Sequence, residues 1–580
     1  MAACLLVLVA SYAVITAWNI HLQTIAAPDE PRYAAAARDM IRTGDWVIPY
    51  FNGKERLVKP IFFYWLIAAL GAAGSKFGVP LDTAFRFGPM LMGLLTVSAT
   101  FLLGRRLRSQ RYAFVAAVML MTTIEFHKLA RELVVDMTLT AFLLWAWLFF
   151  HVALERIEKQ SQALFPLLGF YVCLGLACLT KGPFLVAIFV VIPLVAYLYF
   201  TKRLPILLRA GAWWGAPLAL FIGLSWWGLV EKHGFDAMQF FMNENLKRFS
   251  GAKDHTQNPV PYIFYFKALA EGLPPWVVLI PVAAWWSFRS LRAPASEATE
   301  TTQVPAARNR WNASDSAKFL TCCLAIPFII MGISVSKRPL YILPIYPFLA
   351  LWVAWMVDAA FLSQEGTTFC TRCANALGIG VLILCAIGIV VAFRKLPKWG
   401  GYPSEVYAAA AVLFVLGAAG WAASQNLKLG YRYAAVLQIL AMAAALTIGY
   451  EAIETPIWER EKDSKHFFSA VHERLDNHPF FVFEESFNEA VWYLDQKFEL
   501  VRRPDLKEHF FDKTDMPMLA PLKRLKLYDP DLLKSLRMLG EPIPRGKQTY
   551  VVAEPDPAIP PNPSVFVPRS RRGEEPLGDD

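Results

Sequence analysis

Charge is scarce in this chain: only 18% of its 580 residues are Asp, Glu, Lys or Arg, against roughly 25% in an ordinary soluble protein. With 56% hydrophobic residues and a mean hydropathy of +0.38, it has too little polar surface for a globular enzyme of this size, and disorder is excluded. Cysteine is also sparse. The eight are Cys4, Cys173, Cys178, Cys322, Cys323, Cys370, Cys373 and Cys385, all in or beside apolar runs, so the segment after residue 454 is no disulfide scaffold. Cys370 and Cys373 form a single C-x-x-C with no second pair to complete a zinc site, and the histidines make no H-E-x-x-H pattern. No fixed-period repeat is present, nor the duplication that many transporters show. The first apolar run lacks a basic n-region. Although Ala26 and Ala27 follow it, it reads as a first membrane span and not as a cleaved signal peptide.

What the chain does have is apolar runs long enough to cross a bilayer, about 17 to 25 residues each. Thirteen are expected, near residues 3–22, 83–104, 112–127, 133–153, 164–180, 183–200, 210–230, 270–288, 319–335, 339–361, 373–393, 404–424 and 433–452. A further apolar stretch, Pro60 to Gly74, is too short to span and suits a re-entrant or interfacial helix. Charge placement selects this register, because Lys and Arg concentrate in short cytoplasmic loops. With the N-terminus inside, the six cytoplasmic loops and span ends hold 17 basic and 7 acidic residues, while the outer membrane-proximal segments hold 21 and 17. The net charge of +10 is therefore an orientation signal, and no nucleic-acid partner is implied.

An odd number of spans places residues 455–580 outside the cytoplasm. These 126 residues hold 19 basic and 23 acidic side chains and no long apolar run. Phe480 to Phe483 and Tyr550 to Ala553 read as strands and Phe487 to Leu494 as a helix, which predicts a small α/β domain with a Pro-rich acidic tail from about Pro555. The expected architecture is thus an all-α polytopic membrane domain, residues 1–454, followed by an α/β domain, residues 455–580. Its outer juxtamembrane segments are 23–82 and 231–269.

Ionisable residues near a bilayer are functional candidates by default, and they gather on the expected outer side. The first outer segment contains Asp29, Glu30, Pro31, Arg32 and Tyr33. Pro31 fits the first position of a helix, with Asp29 or Glu30 capping its N-terminus. Adjacent residues point different ways on a helix, so one acid can hold the loop while the other faces a cleft. Lys59 opens the short apolar helix that contains Tyr64, where an ammonium group would add to the pull of the helix N-terminus on an anion. Arg131, Glu132 and Asp136 head the fourth span. Arg248, Asp254, His255, Tyr262 and Tyr265 lie between the seventh and eighth, and Lys337 precedes Tyr341 as the chain re-enters the membrane. For Lys181, at another outer span end, snorkelling and contact with a lipid carrier are equally open. Together these residues suit a lipid phosphate bearing a polar group to be transferred.

The segment Asp29-Glu30-Pro31-Arg32-Tyr33-Ala34 resembles the signature of GT-C membrane glycosyltransferases that use a phospholipid-carried sugar. Lys59-Pro60 with Tyr64-Trp65, then Asp136, Thr180-Lys181-Gly182-Pro183, Arg248-Phe249 with His255, and Ser336-Lys337 with Tyr341 to Pro344 follow in the same order. Within that family the chain is similar to the lipid A 4-amino-4-deoxy-L-arabinose transferases and also to protein O-mannosyltransferases. Where the family often has Lys-Pro-Pro and two tyrosines, this chain has Lys59-Pro60-Ile61-Phe62-Phe63-Tyr64. That departure bears on the identity of sugar and acceptor.

The resemblance implies a bacterial inner-membrane enzyme with a cytoplasmic N-terminus and a periplasmic C-terminal domain. Its donor would be an undecaprenyl-phosphate-linked sugar and its acceptor lipid A or another envelope molecule, both met among membrane lipids. Asp29, then Asp136, with Glu30 beside them, are the implied catalytic carboxylates. Lys59, Arg248, Lys337 and Tyr341 are the implied phosphate ligands, and Arg32, Tyr33, Tyr64, Lys181 and His255 are further substrate contacts. No cofactor is expected, with a divalent metal left open. Two alternatives stand beside this reading: a related transferase acting on another glycan or a protein hydroxyl, and a transporter of a lipid-linked anion.

Overall fold

The computed structural model describes residues 1–26, 28–236, 238–239, 261–285, 313–335, 337–362, 367–399, 402–462, 464–485, 487–501, 516–528, 532–546 and 548–556. The chain forms two compact units. The first comprises residues 1–20, 57–66 and 86–453, and the second residues 21–56, 67–85 and 454–580. Most of the first outer segment thus belongs with the C-terminal α/β part and not with the membrane helices that flank it in sequence.

Among the described residues eleven helices are long and apolar enough to cross a membrane, from Ala2–Leu22 to Arg432–Leu475. A twelfth candidate, where 270–288 was expected, is the pair Phe264–Gly272 and Trp276–Trp285, bent by 117°. Pro274 and Pro275 stand at that break, where the missing backbone N–H groups interrupt the helix ladder. The expected span at 112–127 is instead the 12-residue helix Gln110–Met121. At 1.5 Å per residue it is about 18 Å long, short of the ~30 Å hydrocarbon core. It stops because the chain turns at Thr122 and Thr123, whose hydroxyls donate back to the carbonyls of Val118 (2.7 Å) and Met119 (2.8 Å), a competition that favours helix ends. Pro60 to Gly74 forms the 15-residue helix Phe62–Lys76, short of a full span as expected.

In the first unit, helix Leu164–Lys181 packs between Val135–Glu158 and Ala212–Lys232. Close approach depends on small residues: a Cβ at Gly215 would enter the Tyr171 ring, and one at Gly223 would meet Cys178. The core centres on Trp147, whose ring lies 5.1 Å from that of Phe319 and 6.5 Å from that of Phe348. Loops expected on one side of the membrane meet at one end of this unit. Arg106 pairs with Glu155 (2.7 Å), Arg203 with Glu158 and Asp315 (both 2.8 Å), and Arg108 with Asp358 (2.5 Å).

The second unit holds a sheet in the order β4-β3-β5-β8-β6, with β7 also on β8. Here β3 is Phe480–Phe483, β4 Phe498–Val501, β5 Met518–Pro521, β6 Leu536–Met538, β7 Ile543–Arg545 and β8 Gln548–Pro555. β3 runs parallel to β4 and β5, while β8 is antiparallel to β5, β6 and β7. Both faces of β3 are buried. Phe480 and Val482 join a cluster with Phe467, Phe468 and Val552, and Phe481 and Phe483 join one with Met518, Leu525 and Val551, as strand alternation requires. The same unit contains helix Glu30–Thr43 and a hairpin of β1 (Tyr50–Phe51) and β2 (Lys54–Glu55). The hairpin turns through Asn52 (φ 52°) and Gly53 (φ 76°), the Asn-Gly pair suited to a turn with two positive φ angles.

Candidate functional site

In the first unit, three of the sequence candidates come together. Asp136 lies in the first turn of helix Val135–Glu158, and Lys181 is the last residue of Leu164–Lys181. The chain can end one helix at Lys181 and start the next at Pro183 because Gly182 takes φ 98°, a conformation open to glycine. The Lys181 ammonium meets Asp136 Oδ1 at 2.5 Å, with side chains only 6% and 4% exposed. It also sits 4.5 Å from the centroid of the Tyr341 ring. Snorkelling does not describe Lys181, whose charge is matched inside the protein. A carboxylate and an ammonium group this close form a charge-assisted hydrogen bond, so Asp136 fixes where the Lys181 ammonium points.

Lys337 is buried, and its ammonium donates to the Ser334 carbonyl (2.6 Å), just past helix Ala313–Ile333, where backbone acceptors are left over. Its Nζ lies 5.5 Å from the Tyr262 ring centroid, and burial draws its pKa below the ordinary lysine value. Lys59 is half-buried and precedes the short helix, which begins at Phe62 and not at the lysine as expected. Tyr64, in the first turn, is fully buried. Arg248 and His255 lie outside the described residues.

The first unit also holds a charge cluster that sequence reasoning missed. Glu451 faces His127 at 3.1 Å and Arg131 at 3.4 Å. Arg131 further donates to the carbonyls of Thr16 (3.1 Å) and Trp18 (2.6 Å), and Arg86 donates to the Arg131 carbonyl (2.7 Å). This network joins the first span, the 81–107 helix, the head of the 135–158 helix and the last span. Glu451 near the end of an apolar run was the available signal, but nothing in its local sequence names a partner more than 300 positions away.

In the second unit, helix Glu30–Thr43 begins at Glu30, so Pro31 takes its second position. Neither acid caps it as expected: Asp29 is the N-cap residue but makes no side-chain capping bond, because its carboxylate turns to Arg32 at 3.7 Å. Glu30 is buried, and its carboxylate accepts from the Ala26 backbone N–H at 3.0 Å. The two acids do point apart, Glu30 folding the segment back on itself and Asp29 remaining half-buried. Tyr33 is buried beneath the Arg56 guanidinium, 5.5 Å from its ring. Among the described residues no group of three or more His, Cys, Asp or Glu could hold a metal ion.

A model of the dolichyl-phosphate-mannose-protein mannosyltransferase family matches residues 1–241. An undecaprenyl phosphate-alpha-4-amino-4-deoxy-L-arabinose arabinosyl transferase from Edwardsiella ictaluri is 29% identical over 389 residues, covering 65% of this chain. The match spans 62% of that relative's own length. The enzyme of the same name from Erwinia tasmaniensis is 27% identical over 500 residues, 82% of this chain and 80% of the relative. The crystal structure of ArnT from Cupriavidus metallidurans bound to undecaprenyl phosphate superposes with a TM-score of 0.73 at 19% identity, covering 96% of this chain and 99% of that one. The chain has the GT-C fold of that structure, and in sequence it is similar to the 4-amino-4-deoxy-L-arabinose arabinosyl transferases.

Proposed function

We propose that the protein transfers a sugar, 4-amino-4-deoxy-L-arabinose, from undecaprenyl phosphate to a lipid A phosphate or a related envelope acceptor. The observation that carries this reading is the extent of the likeness, over 82% of the chain for one arabinosyl transferase. In this reading the protein sits in a bacterial inner membrane, with the N-terminus in the cytoplasm and the C-terminal part in the periplasm.

As the anomeric C–O bond breaks, negative charge collects on the departing phosphate. Cations fixed in advance stabilise that charge more in the transition state than in the ground state. Lys59, Arg248, Lys337 and Lys181 supply them, with Tyr341 as a further ligand, and Asp136 holds Lys181 in place. The sugar passes through an oxocarbenium-like state, and the carboxylate assigned to it is Asp29. A lipid A phosphate is already anionic near neutral pH, since the second ionisation of a phosphate monoester lies at about 6. The acceptor then needs no strong base.

The mannosyltransferase-family match over residues 1–241 favours one second reading, transfer to a hydroxyl, in which Asp29 must act as general base. Asp29→Asn separates the two. Loss of less than about tenfold in rate excludes obligatory base catalysis, which is worth ~100-fold or more. The function itself is tested by mass analysis of lipid A from cells with and without the protein. The aminopentose on the lipid A phosphate should vanish without it, and an unchanged lipid A profile would overturn the assignment.

A further inference from the structure

The C-terminal α/β part contacts the segment that carries Asp29 at several points. Arg38, in the middle of helix Glu30–Thr43, is buried. It donates from Nη1 to the Trp492 carbonyl and from Nη2 to the Val491 carbonyl, both at 2.8 Å. These are among the last carbonyls of helix Asn488–Tyr493, the groups a helix leaves without internal partners. The same guanidinium pairs with Asp495 at 2.8 Å and lies 4.9 Å from the Trp492 ring centroid. Only a planar fork can meet two carbonyls, a carboxylate and a ring at once. Burial lowers the Arg38 pKa, and Asp495 acts against that shift.

A second clip closes on the far side of the segment. β4 is the edge strand of the sheet, so the outward N–H and C=O of Phe498 lack a neighbouring strand. The Asn52 side chain takes both, donating from Nδ2 to the Phe498 carbonyl (2.8 Å) and accepting at Oδ1 from its N–H (2.9 Å). A third contact precedes the helix, where Tyr493 donates to the Ile25 carbonyl (3.1 Å) and Thr24 N–H donates to Glu459 (3.0 Å). Residues 24, 25, 38 and 52 are thus tied to the C-terminal part around Asp29 and Glu30.

We propose that Arg38 and Asn52 are positioning residues for sugar transfer, and that the C-terminal α/β part serves the reaction by fixing the Asp29 segment. The proposal rests on the reading that Asp29 takes part in the transfer. A segment so tied has its backbone entropy removed before substrate arrives. Releasing it lowers the turnover of bound substrate and leaves carrier affinity largely intact.

The test uses the full chain in lipid vesicles, with Arg38→Ala, Arg38→Lys and Asn52→Gly. The last variant keeps the positive-φ turn and removes only the amide clip, so it remains informative should Arg38→Ala fold poorly. The expected result is a kcat lower by about 10- to 100-fold for Arg38→Ala, the scale at which misplacement of reacting groups acts, with a smaller fall for Asn52→Gly. KM for the carrier-linked sugar should change less than about twofold, as for an interaction lost only in the transition state. Lysine at 38 should fail to restore kcat. Amide exchange across residues 24–43 should rise while strand β3 keeps its protection. Full kcat in both Arg38→Ala and Asn52→Gly would overturn the proposal, as would an unchanged exchange pattern. If those variants are fully active while Asp29→Asn is inactive, positioning fails and the function stands. If Asp29→Asn is fully active, or no substrate reacts, the reading of Asp29 fails, while the exchange measurement still decides whether the ties hold the segment.

Discussion

Two ion pairs in the first unit match charge with charge inside the protein, whereas the side chains that tie the Asp29 segment in the second unit mainly meet backbone groups. Lys181 faces Asp136 with both side chains almost wholly buried, and Arg131 faces Glu451 with side chains 1% and 7% exposed. Arg38 instead grips two carbonyls, and its carboxylate partner Asp495 is 43% exposed. In an apolar interior, losing one partner strands the other, so such pairs act as units. Near water a lost contact is partly replaced by solvent, and its worth lies in where it puts the backbone.

The largest effect expected from this contrast is at Glu451. Glu451→Ala deprives Arg131 of its carboxylate, and removing one partner of a buried ion pair costs about 3–5 kcal/mol. Thermal unfolding in detergent should show a large fall in midpoint, and a smaller one for Glu451→Gln, whose amide still accepts hydrogen bonds. Equal falls would break the claim that charge matching matters there.

The Asp136–Lys181 pair sharpens the same point through coupling. Asp136→Asn and Lys181→Met should each destabilise the protein, while the double variant should lose less than the sum of the two, with a coupling of about 1–3 kcal/mol. Additive losses, measured in the same unfolding assay, would show that the pair is not a unit. Sugar transfer should stay low in the double variant, because stability is restored without the ammonium group.

Within the second unit Arg38 and Arg42 both reach Asp495, at 2.8 and 2.6 Å. Arg42 is exposed, and its exposed pair is worth at most about 1 kcal/mol. Arg38→Ala should cost more, since its charged hydrogen bonds to backbone are worth about 1.5–3 kcal/mol each. Denaturant titration followed by Trp fluorescence compares the two directly, and a larger loss at Arg42 would reverse the ranking.

The smallest effect is expected at Asp39, whose pKa burial raises despite the nearby Arg38 and Arg42. A raised carboxyl pKa favours the neutral form in the folded state. Its stabilising contribution is full below the unfolded pKa of about 3.9 and is lost as pH rises through the folded value. Asp39→Asn should therefore flatten the stability profile across that acidic window and leave the protein slightly more stable at neutral pH, as read by unfolding at several pH values.

The parts of the fold that were legible in sequence are those set by local pattern. Phe480 to Phe483 stands out as a strand because four large apolar residues are bounded by Pro479 and Glu484, and the long apolar runs appear as helices near their expected limits. Run length misled at 112–127, because two threonines end the helix early, and at 270–288, where two prolines divide it. The pairing of Arg106, Arg108 and Arg203 with acids from neighbouring loops agrees with the charge pattern that put those loops on one side. At the candidate site the residue types were readable but their partners were not. Lys181 reads as a lysine at a span end, and its interior carboxylate lies 45 positions earlier. Arg38 is one of several charges in the first outer segment, yet its acceptors are 453 and 454 positions away. Periodicity reports which face of an element is buried and carries no information on what covers it.

The most direct test of the account is transfer by the purified protein in lipid vesicles supplied with radiolabelled undecaprenyl-phosphate-linked 4-amino-4-deoxy-L-arabinose and lipid A. The account predicts that label passes to lipid A through a new glycosidic bond and leaves undecaprenyl phosphate behind. Label that stays on its carrier, or crosses the bilayer with no new bond formed, would contradict it.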